Sequence, residues 1–340
     1  MKVTIADVAR MANVSKATVS AVLNNKPTVS PQTRELVNEV IRHLNYRPNE
    51  IARSLSIRRT KCIGLVIKEI DNPYFAKVMK GVFDVCCEMG YTVLLGSSEL
   101  SPNQELKSVQ TLTHRHVDGL IISPLQGDDI DFSYLGNLLR ENYPLVMLGS
   151  VKNYITNTVD IDNVKAAYEA VSYLIKLGHT SIAYFSGPAH SAHSQDRLEG
   201  YRQAMIDHQL PLQKSYILEV GSYIANSYQV GKRFFSERGD WPTAVFCYND
   251  LVALGLINAL TELDMNVPEQ VSVIGFDNIE FCEAARVPLT TVLVPAYDIG
   301  CTAARLLLRQ IAAPKSLNEK IVLETKLIVR KSCAPKIEHN

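Results

Sequence analysis

The chain has 340 residues, 46% of them hydrophobic and 21% charged, which is the composition of a globular protein too long for one ordinary core, so two or three domains are expected. Seven cysteines are odd in number, scattered and without a CxxC pair, which argues against a disulfide framework or a zinc site and fits a reducing compartment. The net charge is zero, but residues 1–60 hold ten Lys/Arg against four Asp/Glu; a head of +6 on a body of −6 predicts a polyanion partner for the head alone.

The opening Met1-Lys2-Val3-Thr4-Ile5-Ala6-Asp7 carries no apolar stretch long enough for a secretory signal. Nowhere do about 18 apolar residues run together, so a cytoplasmic protein with no membrane partner is expected. Thr4 and Asp7 have capping-box spacing, and Val8, Met11 and Ala12 behind them face inward. Asn13 falls at a sharp turn, where asparagine tolerates a left-handed backbone. Ser15 caps a second short helix, whose Val19, Val22 and Leu23 form a core stripe. Lys16, Ala17, Ser20, Ala21 and Asn24 lie on its opposite face. Two short helices so tightly joined predict a helix-turn-helix, with the second helix entering the major groove N-terminus first. The plainer reading is a small helical bundle with a solvated polar face. A third helix begins at Ser30-Pro31, with the buried stripe Leu36, Val37, Val40, Ile41 and Leu44, and ends at Tyr46-Arg47-Pro48. Asn49 then caps a short helix to Leu55, marginal alone in water and in need of a partner copy or DNA. Leu55 suits a wedge between base steps.

Three blocks carry a resemblance. Thr4-Ile5-Ala6-Asp7-Val8-Ala9, Val14-Ser15-Lys16-Ala17-Thr18-Val19-Ser20 and Asn45-Tyr46-Arg47-Pro48-Asn49 resemble the headpiece of the lactose repressor (LacI/GalR) family, and the similarity runs on to about residue 333. The resemblance implies a ligand-responsive repressor, a homodimer reading pseudo-palindromic operator DNA. Its DNA contacts would come from Thr4, Ser15, Lys16, Ala17, Thr18, Ser20, Ala21 and Asn24, with Ala52 and Leu55 from the hinge. Ala21 departs from the family, many members of which carry arginine there, so base reading should rest on fewer polar contacts.

Beyond residue 60, apolar runs alternate with amphipathic stretches. Strands are predicted at Cys62–Lys68, Tyr91–Gly96, Gly119–Ser123, Leu145–Leu148, Ser181–Phe185, Ala244–Tyr248, Val271–Phe276 and Thr291–Val294. Helices are predicted to start near Pro73, Pro102, Asp131, Asn163, Gln195, Ala225, Leu251 and Tyr297. This alternation predicts parallel sheets in two doubly wound lobes. The resemblance agrees, the body being similar to periplasmic sugar-binding proteins. The full expectation is a small all-α headpiece (1–47), a hinge (48–60) and an α/β sensing, dimerising body (61–340). The chain should cross between lobes near Asp160–Asp162, Leu289–Thr291 and Glu324–Lys326. That gives an N-lobe of about 61–161 with 291–324 and a C-lobe of about 162–290 with 325–340.

Ligands of open α/β sheets sit beyond the carboxyl ends of strands. That selects Tyr74 and Phe75, Arg197, Tyr223, Asn249 and Asp277: guanidinium and carboxylate to fix hydroxyls, aromatics to cover an apolar face. Duller readings stand beside these. Asn249 and Asp277 are placed to cap the following helices, Arg197 to form a surface ion pair, and Tyr74, Phe75 and Tyr223 to be ordinary core. The resemblance implies ligand contact for Arg197, Tyr223, Asn249 and Asp277, and a cleft-closing pair in Tyr74-Phe75. It breaks at Gly149-Ser150, where well-known members place an acidic residue. His190 and His193 in the distinctive loop Pro188–Ser194 are open to three readings: ligand contact, plain loop, or metal.

The effector expected is a sugar or similar small polar metabolite; no cofactor and no metal are expected. GxSxG, HExxH, GxGxxG and Walker motifs are absent, which disfavours an enzyme. The basic head disfavours a transport receptor; an activator on the same scaffold stays open. No heptad-bearing tail follows Cys333, so a dimer is expected over a tetramer.

Overall fold

A computed structural model describes residues 3–46, 59–127, 130–189, 191–237, 239–314 and 317–336. The chain divides into two compact units, Met1–Thr60 and Lys61–Asn340. The hinge helix expected over Asn49–Leu55, with Ala52 and Leu55, and His190 in the later loop lie outside the described residues.

The first unit holds helices α1 (Ile5–Met11), α2 (Lys16–Leu23) and α3 (Pro31–His43). The Asp7 carboxylate accepts from the Thr4 N–H at 3.0 Å and hydroxyl at 2.7 Å, and these bonds hold it below the usual carboxylate range. Ser15 and Ser30 cap α2 and α3, accepting from Thr18 N–H and Thr33 N–H. Asn13, Asn25 and Asn45 sit at the helix ends with positive φ, where a local polar side chain best tolerates it. Val8, Ala9, Ala12, Val19, Val22, Val37 and Val40 form the core. Met11 and Leu36, expected inside, are 51% and 46% exposed. Each lies about 100° round its helix from an inward neighbour, Ala12 and Val37, and a core this small closes on one stripe per helix.

The body opens with β1 (Cys62–Ile67), α4 (Pro73–Glu88), β2 (Thr92–Ser97), α5 (Pro102–His114), β3 (Leu120–Ile122), α6 (Ser133–Arg140), β4 (Leu145–Leu148) and β5 (Asn157–Ile161). Then come α7 (Asn163–Lys176), β6 (Ile182–Ser186), α8 (Ala192–Asp207), β7 (Ile217–Glu219), α9 (Ile224–Ser236), β8 (Ala244–Cys247), α10 (Asp250–Glu262) and β9 (Ser272–Asp277). The chain ends with α11 (Phe281–Ala284), β10 (Thr290–Leu293), α12 (Ala296–Ala312), β11 (Lys320–Leu323) and β12 (Lys326–Ile328). One sheet has the order β11-β5-β4-β3-β1-β2 and the other β12-β10-β9-β8-β6-β7. All pairs are parallel except β12, antiparallel to β10. Both sheets reverse strand order beside their first strand, and the carboxyl ends at such switch points form crevices.

The chain passes from the first sheet to the second after β5 and returns after β10. The return expected near Leu289–Thr291 is displaced, because β10 pairs with β9 and β12 in the second sheet. It falls instead at Val294–Pro295, and α12 then packs on α4 of the first lobe. That packing is close: a Cβ on Gly300 would lie 2.1 Å from the Val78 carbonyl oxygen, and one on Gly81 2.2 Å from that of Tyr297. Strands β5, β11 and β12 were not predicted. Asn157-Thr158-Val159-Asp160-Ile161 has too many polar residues for an apolar-run signal, and β11 and β12 are short edge strands with exposed positions.

His179 ties the second sheet to the chain end. Its Nδ1 pairs with the Thr243 hydroxyl at 2.9 Å, and Nε2 lies 3.1 Å from both the Ser272 hydroxyl and the Ala334 carbonyl. Burial lowers its pKa below the ordinary 6.5. Just below pH 6.5 the unfolded chain therefore binds more protons than the folded one, and stability falls as pH drops through that window. The expected result is a melting temperature for the wild type that falls more steeply below pH 6.5 than that of His179→Gln; parallel curves would contradict it.

Candidate DNA-binding face and ligand cleft

On α2, Lys16 and Ala17 are exposed, while Thr18, Ser20, Ala21 and Asn24 are half-buried. Among the expected reading residues, Thr4, Ser15, Thr18 and Asn24 have side-chain partners of their own. The Thr18 hydroxyl lies 2.9 Å from that of Ser15, and the Asn24 amide donates to the Ser20 carbonyl at 2.9 Å, one turn back. Thr4, exposed at the start of α1, is held by Asp7. The outward face is short, with Lys16 as its one long cation.

In the body, a cavity of about 880 Å³, its open mouth included, lies among the carboxyl ends of strands from both sheets. Lys68 and Glu69 follow β1, Ser123 follows β3, and Asp160 stands near the end of β5. Opposite them, Ser191, His193 and Arg197 come from the β6–α8 segment, Ser222 from beyond β7, Tyr248 and Asn249 from the end of β8, and Asp277 from the end of β9. The lobes meet across it at polar contacts: the Ser222 hydroxyl donates to Glu69 at 2.8 Å, the Lys77 ammonium to the Asn278 carbonyl at 3.0 Å, and His193 Nε2 lies 3.6 Å from Asp160 Oδ2.

Arg197 is 6% exposed and no surface ion pair. Its Nε donates to Asn163 at 3.0 Å and Nη1 to the Tyr248 carbonyl, while Nη2 lies 3.8 Å from Asp277. The guanidinium stacks 3.6 Å over the Phe276 ring and 4.8 Å over that of Tyr248, which fixes its plane. Burial, reinforced by the neighbouring Asp250 carboxylate, lifts Asp277 well above the usual carboxylate range despite Arg197. Its φ of 111° is a strained value for a side-chain-bearing residue. Asp250, fully buried, braces that turn by accepting from Ile279 N–H at 2.8 Å and the Thr291 hydroxyl at 2.5 Å. Burial pushes Asp250 up to about 6.

Asn249 caps α10, accepting from Val252 N–H at 2.8 Å, and donates to the Ser222 carbonyl at 3.0 Å. Both polar ends are taken, so it positions the wall of the cavity it lines. Asp277 ends β9 and caps no helix, α11 starting only at Phe281. Tyr74 and Phe75 line the cavity from the first turn of α4, their rings 5.1 Å apart and edge-on. Burial and the nearby Asp277 and Asp160 carboxylates raise the Tyr74 hydroxyl. Tyr223 does not line it. The turn after the three-residue β7 places Ser222 on the lining instead, and burial together with the nearby Glu69 carboxylate raises the Tyr223 hydroxyl above its ordinary range.

The residues that sequence reasoning did not single out are Lys68, Glu69, Gln126, Asp160, Asn163, Ser222 and Tyr248. Lys68 and Tyr248 were assigned as the last residues of predicted strands, a position that itself points to the site. Asp160 was hidden with the unpredicted β5. His193, left open, lines the cavity; among the described residues no cluster of three or more His, Cys, Asp or Glu side chains is arranged to hold a metal ion.

A basic three-helix headpiece joined to two doubly wound lobes with a polar cleft defines a DNA-binding transcriptional regulator with a ligand-binding body. The chain belongs to the LacI family of bacterial regulatory proteins, whose profile matches residues 4–49, while a periplasmic binding protein-like domain matches residues 171–333. Catabolite control protein A of Priestia megaterium is 37% identical over 311 residues, 90% of this chain and 92% of that one. The HTH-type transcriptional repressor PurR of Haemophilus influenzae (strain PittEE) is 33% identical over 332 residues, 97% of this chain and 98% of that one. Among solved structures, the lac repressor dimer bound to operator and the anti-inducer ONPF is similar with a TM-score of 0.88 at 28% identity, over 98% of this chain and 100% of that one. The complex of the transcriptional regulator CelR with cellobiose gives 0.72 at 30% identity, over 97% and 100%. Among the described residues, no helix is long and apolar enough to cross a membrane.

Proposed function

We propose that the chain is a cytoplasmic, homodimeric repressor whose hold on operator DNA is set by a small polar metabolite, a sugar or a similar compound, bound between the lobes of the body. The carrying observation is the buried Arg197 guanidinium, fixed by Asn163, Tyr248 and Phe276 on the wall of a cleft that both lobes build. Ligand contacts come from Tyr74, Phe75, Arg197 and Asp277, with Asn249 holding the wall. Tyr223 adjoins Ser222, whose hydroxyl makes the Glu69 contact that joins the lobes. The reading needs binding and no chemical step. A ligand that favours one lobe arrangement shifts the population of that arrangement, and the polar contacts from Ser222 to Glu69 and Lys77 to Asn278 are the ones such a shift would make or break.

The DNA face is proposed to be the start of α2, with Thr4, Ser15, Lys16, Ala17, Thr18, Ser20, Ala21 and Asn24, joined by Ala52 and Leu55 of the hinge segment. Exposed Phe83, Ile224 and Phe281 support a second copy covering part of each lobe. Selection of bound duplexes from a random library by the full chain tests this reading: enrichment of a pseudo-palindrome is expected, because a two-fold dimer presents two reading helices. Enrichment of single, asymmetric sites would overturn it.

A further inference from the structure

The cleft has a second polar wall, on the first lobe, which neither the spacing of the sequence nor the expected contacts assigns. Lys68 is the first residue beyond β1, only 8% exposed, and it lines the cavity. Its ammonium forms no hydrogen bond or ion pair with any described residue, although three carboxylates stand in its surroundings. Each of those is held by other groups. Glu69 accepts from Asn72 and Ser222, Glu105 from the Leu125 N–H and the Tyr134 hydroxyl, and Asp160 accepts from the Ile161 N–H and faces His193.

Two buried polar atoms on the cavity lining lack a hydrogen-bond partner, Gln126 Oε1 and His193 Nε2, the latter 3.6 Å from Asp160 Oδ2. They belong to one corner: a Cβ on Gly149 would lie 3.0 Å from His193 Nε2 and 3.4 Å from Gln126 Nε2. The His193 imidazole occupies the space that a side chain at Gly149 would need. On this wall the cleft offers an ammonium and an imidazole.

We propose that Lys68, with Gln126 and His193 beside it, is a specificity-determining subsite that takes an anionic group of the effector, a carboxylate or a phosphate. The proposal rests on the reading of the cleft as the effector site and narrows the ligand to an acidic metabolite. An ammonium largely withdrawn from water without a direct partner is costly, and burial accordingly lowers the Lys68 pKa. A ligand anion would give the ammonium the direct partner that the surrounding carboxylates, engaged elsewhere, do not, and the Gln126 carbonyl oxygen would accept from a hydroxyl on the same molecule.

The test uses the full chain with inorganic phosphate and acetate as probes, each against chloride at matched ionic strength, read by melting temperature. At least one of the two oxyanions is expected to raise the wild-type melting temperature saturably, and whichever acts tells phosphate from carboxylate. Lys68→Met is expected to melt higher than wild type without any probe, because a buried ammonium without a direct partner is gone, and to lose the oxyanion response at least tenfold. Lys68→Arg should retain the response. No stabilisation by either oxyanion, or the same response in Lys68→Met, would overturn the subsite. So would a Lys68→Met protein that melts lower than wild type without probe, which is the mark of a structural ion pair. The cleft reading fails on different evidence, namely normal effector binding by Arg197 and Asp277 variants.

Discussion

A body fragment beginning at Lys61 is expected to stay folded and dimeric and to lose operator binding by ~1,000-fold or more, the usual gap between specific and non-specific affinity. The structural basis is that each unit has a core of its own: among the described residues Val8, Val19, Val37 and their neighbours close the headpiece, and the body's clusters are built from residues 62–333. The electrostatic basis is the +6 charge of residues 1–60 against a body of −6. With the head removed, an acidic protein meets a polyanion and is repelled. In the full chain, affinity should drop by about 10³–10⁵ between 50 and 200 mM salt if six to ten phosphates are contacted. Gel shift and circular dichroism on the fragment, with a salt titration on the full chain, check both parts. A folded fragment that binds operator with full affinity, or a flat salt response, would contradict the assignment.

Arg197→Ala is expected to weaken effector binding by roughly 10- to 150-fold, the equivalent of about 1.5–3 kcal/mol for a lost charge-assisted hydrogen bond. The substitution also strands the Asn163 side-chain oxygen and the Tyr248 carbonyl without their donor, and takes the cation from the Phe276 face. A fall in melting temperature should therefore accompany the loss of affinity. Arg197→Lys separates the two effects. It keeps a cation but not the planar fork, so it should recover part of the stability and little of the affinity. Calorimetric titration with the effector, beside thermal melts, reads both quantities. If Arg197→Ala were destabilised yet bound effector like the wild type, the guanidinium would be a core strut and no part of the site.

Much of this architecture is written plainly in the sequence because the relevant signals are local. Ser15, Ser30 and the Thr4–Asp7 pair mark helix starts, and the structure shows those caps made. Apolar runs such as Leu145–Leu148 are buried throughout and read as strands at once. What stayed illegible depends on pairing between distant segments. β10 resembles any apolar strand, and only its partners β9 and β12 fix it in the second lobe. β5 is a strand because β4 and β11 flank it, whatever its polar residues suggest. The site divides in the same way. Arg197, Asp277 and the Tyr74-Phe75 pair sit at strand ends or helix starts and were legible there. Tyr223 and Ser222 differ by a single residue in a short turn, and only the path of the backbone decides which of them faces inward. Lys68 reads as the end of an apolar strand; that its ammonium stands among three carboxylates and bonds to none of them is a property of three dimensions alone.

The most direct test of the coupling between cleft and DNA is the operator affinity of the full chain, measured with and without a saturating effector that thermal-shift screening identifies. A change of at least about tenfold, in either direction, is expected for the wild type, since coupling free energies of 1–3 kcal/mol are usual between such sites. The same effector concentration should leave the operator affinity of Arg197→Ala nearly unchanged. An effector that calorimetry shows binding to the wild-type body, yet that leaves operator affinity where it was, would contradict the claim that the cleft controls the DNA-binding head.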